Sequence, residues 1–347
     1  MKEIIIRSEE AGQRLDKYLK KLLPAAGTGF LYKMLRKKNI DLNGAKSDGS
    51  TILAPGDHVR IFFSDETYEK MRGGVAEKCG QASSKMVPQH NCNTRNDRQD
   101  RTGRIEKSSL QLQAVLETDD VLFINKPAGM LSQGSEKGQT SVNDILRQQY
   151  GNNGSTYTPS VCNRLDRNTS GLLLAAKTYA GSRLVSDLIK THSVRKKYLA
   201  IAEGEMAGEG ILNGYLVKDH ERNIVRIRNS GAERDAVGTG YKVLSKKDGY
   251  SLVEVELITG KSHQIRAHFA SIGYPLAGDL KYGGHLYKGI KHQLLHSWKL
   301  VFPNCVPTCV NENNLHIYDE IYGKSDNGTI LCQPGKLFLE YIDFTCS

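Results

Sequence analysis

The chain has 347 residues, 39% apolar and 25% charged, with a net charge of +10. That length excludes a single small domain and allows a substantial core, in the soluble globular range of composition. The basic excess fits a polyanionic partner, such as nucleic acid or an anionic membrane face, although charge alone shifts that balance only modestly.

The N-terminal stretch Met1-Lys2-Glu3-Ile4-Ile5-Ile6-Arg7-Ser8 has no signal-peptide apolar core. No apolar run approaches the length of a membrane span. The seven scattered cysteines then read as reduced thiols of a cytoplasmic protein. Cys305 and Cys309 are spaced C-x3-C, but no second pair of suitable spacing follows, so no metal is expected.

In chain order, residues 12–63 form a compact basic unit within a first domain at 1–64. Leu15, Tyr18, Leu19, Leu22 and Leu23 recur at helical spacing and predict a helix. A second helix turns Leu31, Met34 and Leu35 inward and Lys33, Arg36, Lys37 and Lys38 outward. Ile40–Leu42 reads as a strand entering an Asn43-Gly44 turn, and Val59–Phe63 as a closing strand. Residues 65–109 are polar, basic and poor in large apolar side chains, which predicts a flexible linker.

A second domain is expected at 110–347. Val121–Asn125 reads as a buried strand entering the Lys126-Pro127-Ala128-Gly129 turn. Ser141 begins a short helix, and Gly171–Ala176 is an apolar run of central-strand length. A helix near 180–190 buries Leu184, Val185, Leu188 and Ile189. Strands follow at Lys197–Glu203 and Ser251–Ile258, the latter alternating as a half-buried antiparallel strand does. The segment after Pro303 gives no clear pattern.

Two strings carry chemistry. In Cys162-Asn163-Arg164-Leu165-Asp166-Arg167-Asn168-Thr169-Ser170-Gly171, one carboxylate sits between two arginines. Neighbouring cations favour the charged form of a carboxylate, and a positioned carboxylate is a competent nucleophile towards an electrophilic sugar carbon. Taken alone, the string is better read as a turn in which Asp166 pairs with a neighbouring arginine.

The second string is Thr259-Gly260-Lys261-Ser262-His263-Gln264-Ile265-Arg266-Ala267-His268. It imitates the end of a phosphate-binding loop, but Val255 stands where that loop needs glycine. His263 and His268 are five apart with no Glu after His263, which excludes the zinc-protease pattern. What remains is a tight turn and a short helix with Ile265, Phe269 and Ile272 inward, capped by Gly273. Arg266 borders that buried stripe and needs an anionic partner, most simply a bidentate carboxylate. Tyr198, in Lys196-Lys197-Tyr198, reads as a core residue or as a flat face for a base.

Together these strings resemble the RluA-type family of pseudouridine synthases. The resemblance covers about 110–303. It rests on Lys126–Gly129, Arg164-Leu165-Asp166 with Thr169-Ser170-Gly171, Lys196-Lys197-Tyr198, Gly260–His268, Gly278-Asp279 with Tyr282-Gly283, and His296 before Leu300–Pro303. The N-terminal unit resembles the small ribosomal-protein S-four-type RNA-binding domain. The resemblance implies an α+β fold: a mixed, largely antiparallel central sheet flanked by helices and loops, plus a small α+β RNA-binding domain. It implies that Asp166 is the catalytic aspartate and that Arg266 pairs with it. Tyr198 would stack on the target uracil and assist loss of the C5 proton, and Arg164 would fill the gap left by the flipped base. His263 and Gln264 would shape the pocket or contact RNA. Three departures stand out: Asn163 replaces the family's histidine, Lys261 its arginine, and a common histidine near Gln133 is missing.

The implied reaction isomerises uridine in structured RNA, with large-subunit ribosomal RNA the expected substrate, and needs no cofactor. A monomer is expected. One alternative is a non-catalytic RNA-binding or ribosome-assembly protein; the basic first domain and Asn163 are compatible with it, and the intact Asp166, Tyr198 and Arg266 set argues against it. Another is an RNA glycosylase, which would need a second carboxylate to activate water, and these motifs supply none.

Overall fold

The stripe at Leu15, Tyr18 and Leu19 is the buried face of helix α1 (Leu15–Leu22), and Leu31, Met34 and Leu35 form that of α2 (Thr28–Arg36). The structure, a computed structural model, describes residues 1–7, 10–72, 111–134, 139–151, 157–219, 221 and 224–341. The chain divides into two units, Met1–Ile6 with Gln13–Gln111, and Arg7–Gly12 with Leu112–Ser347.

In the first unit, the two helices accompany an antiparallel sheet in the order β1-β3-β2, formed by β1 (Lys2–Ile5), β3 (His58–Ile61) and β2 (Ile40–Leu42). β1 was not expected from the sequence, and β3 stops at Ile61 rather than Phe63. Asn43 and Gly44 both have positive φ, 51° and 77°, as a tight hairpin turn of this kind requires. Glycine is favoured at the second position by its φ of 77°, and a Cβ there would also displace the Arg60 guanidinium, 2.8 Å away. That guanidinium is held by buried Asp41 through two hydrogen bonds of 2.9 Å.

Helix α3 (Asp65–Arg72) occupies the first positions of the span expected as a linker. It buries Tyr68, and its Met71 carbonyl accepts from the Ala25 amide, so one aromatic anchor suffices to order an otherwise polar stretch. The rest of that span, 73–109, lies outside the described residues.

The second unit is built on an 11-stranded mixed sheet. Its strands are β4 (Gln113–Glu117), β5 (Val121–Lys126), β6 (Ser160–Val161), β7 (Ser170–Ala176), β8 (Arg195–Glu203), β9 (Glu209–Asp219), β10 (Ile224–Arg228), β11 (Ala236–Lys247), β12 (Tyr250–Leu257), β13 (Leu295–Val301) and β14 (Thr329–Leu331). The main order is β10-β9-β11-β12-β8-β13-β7-β5-β4, with β14 beside β13 and β6 beside β7. Among the described residues the pairing is antiparallel except between β13 and β7, in agreement with an α+β fold.

Helix α4 (Val142–Tyr150) begins at a reciprocal capping box in which Ser141 and Asp144 satisfy each other's backbone amides. Helices α5 (Tyr179–Lys190), α6 (Gln264–Ser271), α7 (Leu315–Lys324) and α8 (Lys336–Leu339) complete the unit. Ile265 and Phe269 of α6 pack with Tyr198, Val253 and Val255. Ile272 does not share that face; it caps the helix and is 37% exposed.

β12 is less half-buried than its alternation suggests, because a second cluster of Leu199, Ile201, Tyr287 and Phe338 covers Leu252 from the other side. The segment after Pro303 is integral: Ile317, Tyr318 and Ile321 of α7 join Phe302 and Leu300 in the core, and β14 extends the sheet. Among the described residues no helix is long and apolar enough to cross a membrane.

Candidate active site

Asp166 lies in the loop entering β7, and that loop is tied down at nearly every residue. The Ser132 hydroxyl donates to the Leu165 carbonyl at 3.0 Å and accepts from the Leu165 amide at 3.2 Å. The Arg167 carbonyl accepts from the Gly129 amide and from the Lys126 ammonium, both at 2.9 Å. The Thr169 amide donates to the Asp166 carbonyl at 3.0 Å.

Gly171 then lets β7 meet β13. Its φ is +100°, and a Cβ there would sit 2.1 Å from the Ser297 carbonyl oxygen, so only glycine fits. At the same junction buried His296 joins Ser170 (2.9 Å) to the Cys332 carbonyl (3.1 Å).

Lys126 is fully buried and donates to three carbonyls, those of Pro127, Met130 and Arg167, at 2.9–3.0 Å. Burial pushes its pKa down to about 8, and the charge of Asp166 acts the other way. The Lys-Pro-Ala-Gly turn is thus a clamp on the aspartate loop, a role its turn-like composition does not reveal.

Arg266 reaches the same point from α6. Its Nη1 donates to Asp166 Oδ2 at 3.3 Å, as the resemblance implies. Its bidentate partner, however, is Asp279, with Nε to Oδ2 at 2.7 Å and Nη2 to Oδ1 at 2.8 Å. Both members of that pair are buried. Burial alone would lower the guanidinium pKa, but Asp279, with help from Asp166, leaves it raised. One face of the guanidinium also lies over the Tyr282 ring, 4.6 Å from its centroid.

His263 precedes α6 in a left-handed conformation, with φ of 56°. Its Nε2 is 3.9 Å from Asp166 Oδ2, and its Nδ1 is 2.8 Å from Tyr282 Oη. The Tyr282 oxygen already accepts from the Val225 amide at 3.0 Å. Donation of the Tyr282 hydroxyl hydrogen to His263 Nδ1 would put the ring proton on Nε2, the nitrogen that faces Asp166. Burial, the leading cause, holds the His263 pKa below its usual value and favours this neutral ring.

Tyr198 is buried in β8. Burial raises its phenol pKa; a hydrogen bond from Ser297 works against this and the charge of Asp166 adds to it. Arg164 is exposed beside Asp166, whose side chain is 24% exposed. Asp166, Arg266, His263 and Tyr198 therefore lie close together, with Arg164 exposed two residues before Asp166.

Gln264 does not belong with them. Its amide is buried and fully engaged: Oε1 accepts from Thr259 and from the Lys261 amide, and Nε2 donates to the Gly238 carbonyl and to Thr239 Oγ1. It braces the turn before α6 and has no group left for RNA. Asn163 likewise holds structure, accepting from the Leu174 amide at 2.9 Å. Sequence reasoning singled out no role for Lys126, Asp279 or Tyr282, although all three stand in the strings that carried the resemblance.

The RNA pseudouridylate synthase family profile matches residues 120–271. Ribosomal large subunit pseudouridine synthase C of Rickettsia bellii (strain RML369-C) is 30% identical over 328 residues, covering 93% of this chain and 96% of that protein. The RNA pseudouridine synthase YhcT of Bacillus subtilis (strain 168), itself uncharacterised, is 30% identical over 302 residues, 86% of this chain and 87% of its own. The solved structure of human RNA pseudouridylate synthase domain containing 4 matches with a TM-score of 0.49 at 23% identity, over 65% of this chain and 90% of that one. The chain belongs to the RNA pseudouridylate synthase family, isomerases that act on RNA.

Proposed function

We propose that this isomerase converts uridines of large-subunit ribosomal RNA to pseudouridine, with Asp166 as its catalytic group. The observation that carries the reading is the Arg266 guanidinium, anchored by Asp279 and donating its remaining arm to Asp166. A carboxylate fixed by a doubly held cation, beside a solvent-open face, is arranged to meet a sugar carbon rather than to stabilise the fold.

The target uridine leaves its stack and enters the site, at a cost of a few kcal/mol. Tyr198 offers its ring to the uracil, which offsets about 1–3 kcal/mol of that cost. Arg164, exposed at the rim, occupies the space the base vacates. Asp166 promotes cleavage of the N1–C1′ bond. The uracil turns and rejoins through C5, and C5 loses its proton as N1 gains one. His263 turns Nε2 towards Asp166 and, in the tautomer protonated there, is a donor for a uracil or ribose oxygen.

Ribosomal RNA as substrate is supported by the name of the Rickettsia relative, a large-subunit pseudouridine synthase, and by the basic excess of the chain. We read residues 1–64 as an S-four-type RNA-binding domain, 65–109 as a connecting segment that opens with α3, and 110–347 as the catalytic domain. Lys33, Arg36, Lys37 and Lys38 are all exposed around the end of α2, as a phosphate-binding face would be. We read the enzyme as a monomer that acts in the cytoplasm, in keeping with a ribosomal substrate. The substrate assignment is tested with RNA tritiated at uracil C5: tritium release from unmodified large-subunit ribosomal RNA, and none from transfer RNA, supports it, and the reverse pattern overturns it.

A further inference from the structure

The second unit contains a nearly buried cation without an anion. Lys196 of β8 is 8% exposed, yet among the described residues its ammonium has no carboxylate, carbonyl or hydroxyl partner. Its neighbours in sequence are paired, Arg195 with Glu256 and Lys197 with Glu254. Lys126, the other buried lysine among the described residues of the unit, has three carbonyls. Burial lowers the Lys196 pKa with no nearby charge to offset it. Such a group costs the fold stability and returns none of it through contacts.

Its location suggests what completes it. Lys196 stands opposite Leu257, the last residue of β12. Its Nζ is 3.6 Å from the point where a Cβ on Gly260 would lie. The ammonium is therefore just beneath the turn before α6, where Gly260, Lys261 and Ser262 are exposed. Glycine at 260 leaves the approach to Nζ uncovered. Gln264 holds the turn rigid from below. Lys261 adds a second cation with no ion pair among the described residues.

This place adjoins the catalytic centre. Lys196 and Tyr198 are two residues apart on one face of β8, about 7 Å along the strand. The turn leads directly to His263 and Arg266.

We propose that Lys196, with the exposed Gly260–Ser262 turn above it, binds a backbone phosphate of the RNA strand next to the target uridine. The phosphate supplies the missing anion through a charge-assisted hydrogen bond, which is stronger where water is largely excluded. The strand would then be held at two points, by its base on Tyr198 and by its backbone at Lys196. The inference rests on the reading of Asp166 as the catalytic centre.

The test compares full-length wild type, Lys196→Gln and Gly260→Val for binding to a substrate RNA across a salt series. Lys196→Gln is expected to bind roughly tenfold more weakly, as for loss of one charge-assisted hydrogen bond. Its log–log salt slope should fall by about 0.7–0.9, one phosphate's worth. Gly260→Val, which covers the ammonium without removing it, should weaken binding likewise.

A single uncharged methylphosphonate linkage beside the target uridine should weaken wild type and leave Lys196→Gln unaffected. The Tm of Lys196→Gln should equal or exceed that of wild type. An unchanged salt slope, or an equal methylphosphonate penalty in both proteins, overturns the proposal. A lower Tm with an unchanged slope also overturns it, because Lys196 then serves the fold. Tritium release by wild type from the same RNA separates the two claims: its absence counts against the Asp166 reading, while the slopes still decide Lys196.

Discussion

Asp279 grips Arg266 through Nε and Nη2 with both carboxylate oxygens, while Nη1 of the guanidinium reaches Asp166. The Asp166 carboxylate, the proposed catalytic group, is therefore oriented at one remove. Asp279→Asn keeps the shape but removes the charge and one of the two acceptors. Loss of one partner of a buried pair costs about 3–5 kcal/mol. A misplacement of about 1 Å costs on the order of a hundredfold in rate. We expect a lower urea midpoint together with at least that loss in kcat. Unchanged kcat in the folded variant would remove Asp279 from the positioning chain.

Lys126 has a comparable role on the other side of Asp166. Lys126→Met fills similar space but takes the ammonium from the Pro127 and Met130 carbonyls and leaves the Arg167 carbonyl with the Gly129 amide alone. Each unsatisfied group costs about 1–3 kcal/mol, and the desolvation cost of the ammonium is recovered in part. The variant should unfold at lower urea and release tritium slowly even where it remains folded. Full activity would show that the loop holds its geometry through Ser132 and Gly129 alone.

His268 sets an acid limit on stability. Thr239 meets its Nδ1 at 2.7 Å, and among the described residues its buried Nε2 has no partner. Burial pushes its pKa down to about 4, against about 6.5 in an unfolded chain. The unfolded state thus takes up a proton that the folded state resists. The resulting stability is complete above about pH 6.5 and is lost as pH falls towards 4, about 3 kcal/mol in all. Urea midpoints at pH 7 and pH 5 should fall further apart in wild type than in His268→Leu. Equal gaps would assign the acid sensitivity elsewhere.

The basic end of α2 makes a separate claim on RNA. Replacing Lys33, Arg36, Lys37 and Lys38 with Gln touches only exposed side chains. Such changes ordinarily alter stability by no more than about 0.5 kcal/mol each. RNA binding should weaken and its salt slope flatten by about 0.7–0.9 for each phosphate that is no longer neutralised. A slope equal to wild type would exclude this face from phosphate binding.

The sequence made some of this legible and hid the rest for identifiable reasons. Ile265 and Phe269 follow the helical period, so the buried face of α6 could be read directly. Arg266 beside that face required a carboxylate, and a bidentate one exists. That it is Asp279 depends on a turn whose shape is set by close backbone approach, since a Cβ on Gly278 would sit 2.3 Å from the His292 carbonyl. No spacing rule supplies that pairing. Gln264 looked like a pocket residue because motif position carries no record of hydrogen-bond satisfaction. Lys126 looked like a turn residue because its acceptors are carbonyls brought together only by folding. The stripe Ile317, Tyr318 and Ile321 in α7 was present but short, and polar neighbours masked it.

The central claim is that Asp166 performs the isomerisation. It is tested by incubating wild type and Asp166→Asn with unmodified ribosomal RNA tritiated at uracil C5, measuring tritium release alongside RNA affinity. Release by wild type, none by the variant, RNA of unchanged length, and similar affinity for both are the predicted results. Release by Asp166→Asn at a rate near wild type, or loss of affinity in step with activity, would contradict the claim.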